Sequence, residues 1–145
     1  MKKMFLTIMT LFLFSGIGAV SASAQVVDII EATIPFDFTI NDMNLPAGDY
    51  SIKRVNSNHQ RTMVIRDADG KNLILFLTDE AYASGTPDDT ELIFNVVGNR
   101  YFLSRIFEEG NSLGVAIVKS DLEKHLEKEL TIVQNRIVIV TAQSR

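Results

Sequence analysis

The stretch IPFDFTINDMNLPAGDYSI, Ile34 to Ile52, joins two runs of alternating apolar and polar residues through a segment rich in turn formers. Ile34, Phe36, Phe38 and Ile40 fall on every second position, while Pro35, Asp37 and Thr39 take the other parity. Period two marks a strand buried on one face. Pro35 cannot donate to a ladder, so it is expected at an edge strand or a strand start, where an exposed edge could pair with another chain. Asn41 to Gly48 reads as a connection in which Pro46 presets φ and Gly48 supplies a positive φ. From Asp49 the alternation resumes, with Tyr50 and Ile52 on one face and Ser51 and Lys53 on the other. The stretch is strand, corner, strand.

The same grammar runs on along the chain. Thr62 to Arg66 is a short strand, and Asp67-Ala68-Asp69-Gly70 is a type I turn ending in a left-handed glycine that sends the chain back into Asn72 to Thr78. Leu73 to Leu77 is apolar on both parities, the pattern of a strand covered on both faces. Asp79 to Thr90 is polar and small and reads as the longest loop, either a mobile rim or a functional lid. Glu91 to Val97 and Arg100 to Phe107 flank Gly98-Asn99, a two-residue hairpin loop suited to type II′ because glycine leads. Glu108 to Gly114 forms a further loop, and Val115 to Val118 a short strand.

The period then changes. Ser120 and Glu123 form a capping box, and Leu122, Leu126 and Leu130 recur every fourth residue, which predicts an amphipathic helix of about three turns. Gln134 to Ala142 is a closing β-branched strand. The expected fold is mainly β: an antiparallel β-sandwich or flattened barrel of seven to eight strands. Its single C-terminal α-helix would pack on a sheet, or across its open end, through the three leucines.

The N-terminus reads differently. Lys2 and Lys3 precede an apolar run from Met4 to Phe14, and Ala22-Ser23-Ala24 supplies a small-residue cleavage site. This is the pattern of a secretory signal peptide over residues 1–24, leaving 25–145 as a single β-rich domain. The apolar run is too short to span a bilayer, and the mature chain holds no other uncharged run of that length. The mature protein is therefore expected to be exported, periplasmic or extracellular, with no integral membrane segment. With no cysteine, it must rest on packing alone in an oxidising compartment. Loss of Lys2 and Lys3 takes the formal charge from −4 to −6, an acidic balance that opposes nucleic-acid binding. An outer-membrane barrel would need strands of about 9 to 11 residues with an aromatic girdle; the strands here read as shorter, and a charged helix intervenes.

No motif for catalysis or metal binding emerges. His59 lies in a polar turn and His125 beside the helix stripe, without ligand spacing to each other or to a carboxylate. Asp67-x-Asp69-Gly70 begins like a calcium loop, but an apolar strand follows where oxygen ligands are required. Asp88, Asp89 and Glu91 read as solvated charge around a loop end. There is no Gly-x-Ser-x-Gly, no Ser-x-x-Lys and no cysteine nucleophile, so no catalytic, cofactor-binding or metal residue is assigned. Arg100, Tyr101 and Phe102 could stack a base or a sugar, yet alternation puts the two aromatics on opposite faces, one in the core and the other at the surface or in a second core layer.

Pro35-Phe36-x-Phe38 followed by Leu45-Pro46-Ala47-Gly48-x-Tyr50, with Gly98-x-Arg100-Tyr101-Phe102-Leu103 and Lys119-Ser120-x-x-Glu123, resembles a family of small exported bacterial proteins with no assigned activity. Phe107 and Val118 depart from that pattern, where tryptophan and proline are frequent. Leu45-Pro46-x-Gly48-x-Tyr50-x-Ile52 is also similar to the strand entry of carboxypeptidase-regulatory-like and Cna-B-like β-sandwich modules, a resemblance that implies a tyrosine anchoring a corner. The expected function is a non-enzymatic envelope module that binds or supports another component, without a cofactor. The alternatives are a carrier holding a small apolar ligand among Phe36, Phe38, Phe76, Phe94 and Phe102, and a hydrolase of envelope polysaccharide.

Overall fold

The computed structural model describes residues 29–55, 61–130 and 136–145. The signal segment, His59, and Gln134 at the start of the expected last strand lie outside these residues. Among the described residues there are ten strands and one helix. The strands are β1 (Ile29–Ile34), β2 (Phe38–Ile40), β3 (Met43–Leu45), β4 (Gly48–Arg54), β5 (Thr62–Asp67), β6 (Leu73–Tyr82), β7 (Thr90–Val97), β8 (Arg100–Phe107), β9 (Leu113–Ile117) and β10 (Arg136–Ser144). The helix, α1 (Asp121–Glu129), falls between β9 and β10.

Eight strands close on themselves in the order β8-β7-β10-β1-β4-β5-β6-β9, with β9 returning to β8 through Arg105 opposite Ala116 and Ile106 opposite Val115. Every pairing around this ring is antiparallel. The fold is thus the barrel and not the sandwich. An eight-stranded barrel has an interior just wide enough for side chains to fill. Here Ile34, Phe38, Ile52, Ile65, Phe76, Leu92 and Phe94 are almost wholly buried, and they belong to one continuous core. Phe94 meets Phe38 edge to face at 5.6 Å and Phe36 at 5.2 Å. Burying each ring contributes about 1.5–3 kcal/mol, and each such aromatic pair adds about 0.5–1.5 kcal/mol.

The opening stretch is a corner with more parts than its pattern shows. Pro35 neither starts a strand nor lies within one; it ends β1, and the alternating run is split into β1 and β2. Asn41 and Asp42, at φ 48° and 62°, form the two-residue turn of a β2–β3 hairpin within the segment expected to be a plain connection. Asparagine and aspartate are the non-glycine residues that tolerate this region most readily. Gly48 opens β4 with the positive φ expected of it, 159° and close to extended, while the left-handed backbone of the corner lies at Asn41 and Asp42. Side chains then stitch the corner together. Asp37 Oδ1 accepts from the Ala47 amide at 2.9 Å, and the Tyr50 hydroxyl donates to the Pro46 carbonyl at 2.6 Å. Tyr50 also packs edge to face on Phe38 at 5.2 Å. Burial, then the carboxylates of Asp67 and Asp37, raise its pKa and keep the hydroxyl a donor. Tyr50→Phe is expected to cost about 0.5–1.5 kcal/mol in urea denaturation; an unchanged midpoint would show that the corner holds without this bond.

The β2–β3 hairpin lies beside β8, with Thr39 of β2 opposite Phe102 in parallel register. The Asn41 amide donates to the Leu75 carbonyl of β6 at 2.8 Å, and the Val118 amide donates to the Leu77 carbonyl at 3.1 Å. Asp42 Oδ1 accepts from the Leu122 amide at 3.2 Å, which ties the hairpin to the first turn of α1.

Gly98, at φ 64° and followed by a residue of negative φ, makes the β7–β8 turn as the sequence predicts. Further along, the β7–β8 register shifts between Ile93 and Phe94, opposite Ser104, and the bulge switches the parity of β8. Leu103 and Ile106 therefore both enter the core although they are three apart. β6 runs on to Tyr82 and pairs with β9, so the predicted loop from Asp79 shrinks to 83–89. That loop is fastened to its neighbour by Ala83 N to Ser112 O at 2.9 Å and Gly110 N to Pro87 O at 2.9 Å.

Candidate functional site

Two surfaces of the barrel have the character of binding sites. The first follows from the alternation of β6. Ile74, Phe76 and Thr78 point inward, which leaves Leu73, Leu75 and Leu77 on the outer face at 50%, 54% and 56% exposure. The sequence pattern predicts a strand covered on both faces, but only the inner face is covered. α1 packs instead on the outer face of β7, where Asn95 Nδ2 donates to Glu123 Oε1 at 3.2 Å. The pairing of β4, β5 and β6 sets Val64 beside Leu75 and Thr62 beside Leu77, with Lys53 and Arg66 flanking on the β4 and β5 side. Val118, exposed, continues the apolar surface on the far side of Leu77. Next to it, a shallow groove of about 280 Å³ is lined by Asn41, Asp42, Leu77, Val118, Lys119, Ser120 and Asp121. The leucine row is thus bordered by Lys53 and Arg66 on one flank and by Asp42, Asp121 and Lys119 on the other, with Asp121 paired to Lys124 at 3.3 Å. Monomeric surfaces rarely keep an apolar row of this kind unless it is used.

The second surface is one mouth of the barrel. Ile30, Met63, Ile106 and Val115 form the apolar floor of a cleft of about 510 Å³, and Arg61, Asp79, Glu80 and Glu108 stand around it. Arg61 pairs with Asp79, and both are well exposed, so the pair stabilises little. Barrel mouths of this size commonly hold small ligands.

The residues singled out in the sequence do not converge on either surface. Phe38, Phe76 and Phe94 fill the barrel, and Phe36 stacks on Tyr101 at 4.1 Å at its margin. Phe102 shares the face of Asn95, beneath the helix, so the five phenylalanines do not surround one cavity. Tyr101 and Phe102 do lie on opposite faces, Phe102 in a second apolar layer outside the main core. His125 is exposed and pairs with Glu129 at 3.2 Å. Asp67 is occupied by its turn: burial works to raise its pKa, but hydrogen bonds from the amide and side chain of Asn72 and the amides of Lys71 and Gly70 outweigh it and hold the carboxyl below its ordinary value. Thr90 is buried and accepts from the Glu109 amide at 3.1 Å, while Asp88 and Asp89 are exposed. Among the described residues, no three histidine, aspartate or glutamate side chains gather as a metal site.

The helix docks through a residue the leucine stripe did not indicate. Leu122 and Leu126 are half-buried and Leu130 is exposed, whereas Glu123 is 4% exposed. Ser120 caps the helix by accepting from the Glu123 amide at 3.2 Å, and the Glu123 carboxylate, the other half of the expected capping box, accepts from Asn95. Burial raises the pKa of Glu123, opposed by the Asn95 bond and by Lys119. The folded chain therefore keeps this proton above the pH, near 4.5, at which the unfolded chain releases it. Stability tied to the group is whole below that value and falls as pH rises through the folded pKa. Glu123→Gln is expected to raise Tm by a few degrees at pH 7 and to leave it almost unchanged at pH 4. An equal shift at both values would mean that the carboxylate is not what destabilises the dock.

No family model, no curated protein and no solved structure matches this chain. No helix among the described residues is long and apolar enough to cross a membrane.

Proposed function

We propose that the mature chain is an exported envelope module that acts by binding another polypeptide, without catalysis, and that the leucine row of β6 is its docking surface. The row carries the reading: three half-exposed leucines side by side on an ordered strand, bordered by charge of both signs. The Lys2-Lys3 start, the apolar run to Phe14 and Ala22-Ser23-Ala24 support export. Against catalysis stands the placement of the displaced titrations. Tyr50, Asp67 and Glu123 are each accounted for by a corner, a turn and a helix dock, and Glu123 lies apart from the other two. A photo-crosslinking residue at position 75, introduced in the full chain in its own host, is expected to give a discrete adduct, and one at position 141 on the outer face of β10 none. Turnover of an envelope substrate, abolished by a single carboxylate substitution, would overturn the reading.

The barrel mouth supports a second reading, a carrier of a small apolar ligand, held at the floor of Ile30, Met63, Ile106 and Val115 rather than among the phenylalanines. Native mass spectrometry of protein purified gently from its compartment would then show an added mass lost on denaturation, and Met63→Lys would abolish it.

A further inference from the structure

We infer that the crevice between α1 and the outer wall of the barrel binds a phosphate group through Arg105 and Arg136. It shares only Lys119 with the groove beside the leucine row and nothing with the barrel mouth, so it stands whether or not either of those is occupied.

The crevice follows from the way the helix docks. Asn95 draws Glu123 onto the outer face of β7, and beside that contact a space of about 290 Å³ remains between α1, β7, β8 and the start of β10. Its charged lining is Arg105, Lys119, Glu127 and Arg136. Lys119 Nζ donates to Glu127 Oε1 at 2.6 Å, so these two answer each other. The guanidinium groups of Arg105 and Arg136 make no hydrogen bond or ion pair among the described residues. Arg136 is exposed and water can serve it, but Arg105 is half-buried. Its ladder neighbours are Ile93 on β7 and Ala116 on β9, which offer it no side-chain acceptor. A guanidinium has five donors and no means of losing its charge, so withdrawing it from water without an acceptor is costly. Glu123 is the other carboxylate close by, but Asn95 holds it and burial disfavours its charge. A chain with a formal charge of −4 thus gathers an excess of cation in one recess.

Two unpaired guanidinium groups suit a phosphate better than a carboxylate. Phosphate offers more than two acceptor oxygens and up to two charges, enough for both forks at once. The volume is at the small end for ligand sites and holds a head group rather than a whole ligand. What lies next to it is apolar: the ladders set Arg105 in one row across the outer face with Ile93 and Ile139, and Ile137 and Ile139 are about half exposed. The phosphate can therefore be free or carried on an apolar tail laid along those isoleucines.

The test titrates the mature chain with inorganic phosphate by calorimetry at fixed ionic strength. Saturable binding of one phosphate per chain is expected, with no competition from acetate. Arg105→Gln and Arg136→Gln should each weaken it by about tenfold or more, the worth of one charge-assisted contact. Arg66→Gln, which removes an exposed arginine of β5 outside the crevice, should leave it unchanged. Arg136 is exposed and its variant should keep the wild-type circular dichroism and Tm, so the result does not hang on the folding of Arg105→Gln. Flotation with phosphatidylcholine vesicles, with and without phosphatidate, separates the two sources. Capture that needs phosphatidate and is lost in Arg136→Gln assigns a lipid phosphate; binding of inorganic phosphate without such capture assigns a soluble one. Neither kind of binding in the wild-type chain, equal competition by acetate, or equal loss in Arg66→Gln and Arg136→Gln would overturn the site.

Discussion

Phe94→Ala is expected to lower the stability of the domain by about 3–5 kcal/mol, the range for emptying a large aromatic site in a closed core. The ring is fully buried on β7, midway round the barrel, and meets Phe36 and Phe38 edge to face. Its loss removes the transfer free energy of the side chain, two aromatic contacts and the packing of the space between them. The barrel offers little relaxation, because its wall is fixed on both sides by ladders to β8 and β10. Against a typical total of about 5–15 kcal/mol, the variant should be partly unfolded at 37 °C or close to it. Urea denaturation measures the effect directly. Phe36→Ala is the internal comparison: that ring is half-buried and stacks on Tyr101 at the margin, so its loss should cost clearly less. Equal costs for the two, or a cost for Phe94→Ala below about 2 kcal/mol, would mean that the barrel centre is looser than its geometry.

The second large effect is expected at Gly114. A Cβ there would press into the Ile106 carbonyl oxygen and come within 2.8 Å of Phe107 Cε1. Neither neighbour can yield easily, since Phe107 is 2% exposed and the carbonyl belongs to the backbone of β8. Ile106 is also one of the two β8 residues that pair with β9 and close the ring. Gly114→Ala should therefore destabilise by about 1–3 kcal/mol or more through overpacking. The damage should be local as well, seen as faster hydrogen exchange at β9 amides than at β1 or β4 amides. Gly85→Ala is the control: a Cβ at Gly85 meets nothing, and that variant should be neutral or slightly stabilised. If both variants behave alike, the close approach at Gly114 does not govern closure.

Local chemistry was legible in the sequence wherever it needs only neighbours. The Gly98-Asn99 turn, the Asp67 to Gly70 turn, the cap at Ser120 and the inward parity of Tyr50 and Ile52 all depend on residues a few positions apart. The readings that changed depend on what covers a face. Leu73 to Leu77 is apolar on both parities, and nothing in the run says which side is packed; the helix could have covered β6 and instead covers β7. The parity switch at Ser104 is invisible because a bulge adds one residue to an otherwise regular strand. Asp79 to Tyr82 looked like loop because polar residues suit a loop and a solvent-facing strand equally. The candidate surfaces were hidden for a related reason. The mouth draws on β1, β4, β5, β6, β8 and β9, and the leucine row becomes a site only when the barrel leaves it bare. The one local signal that was missed is Asn41-Asp42, two residues tolerant of left-handed backbone between strands that pair in two-residue register.

The amide of Asn41 has a consequence for the survival of the chain in a crowded compartment. Residues 73–77 are five apolar residues without charge, proline or glycine, the composition of segments that stack into cross-β fibrils when an unpaired strand offers itself as a template. In the native barrel that template is withdrawn at Leu77 by the Val118 amide and at Leu75 by one side-chain amide, held in place by a turn that few residues could make. The hairpin so serves as a gatekeeper against fibre growth, and selection acting there would preserve solubility even where it left affinity for a partner untouched.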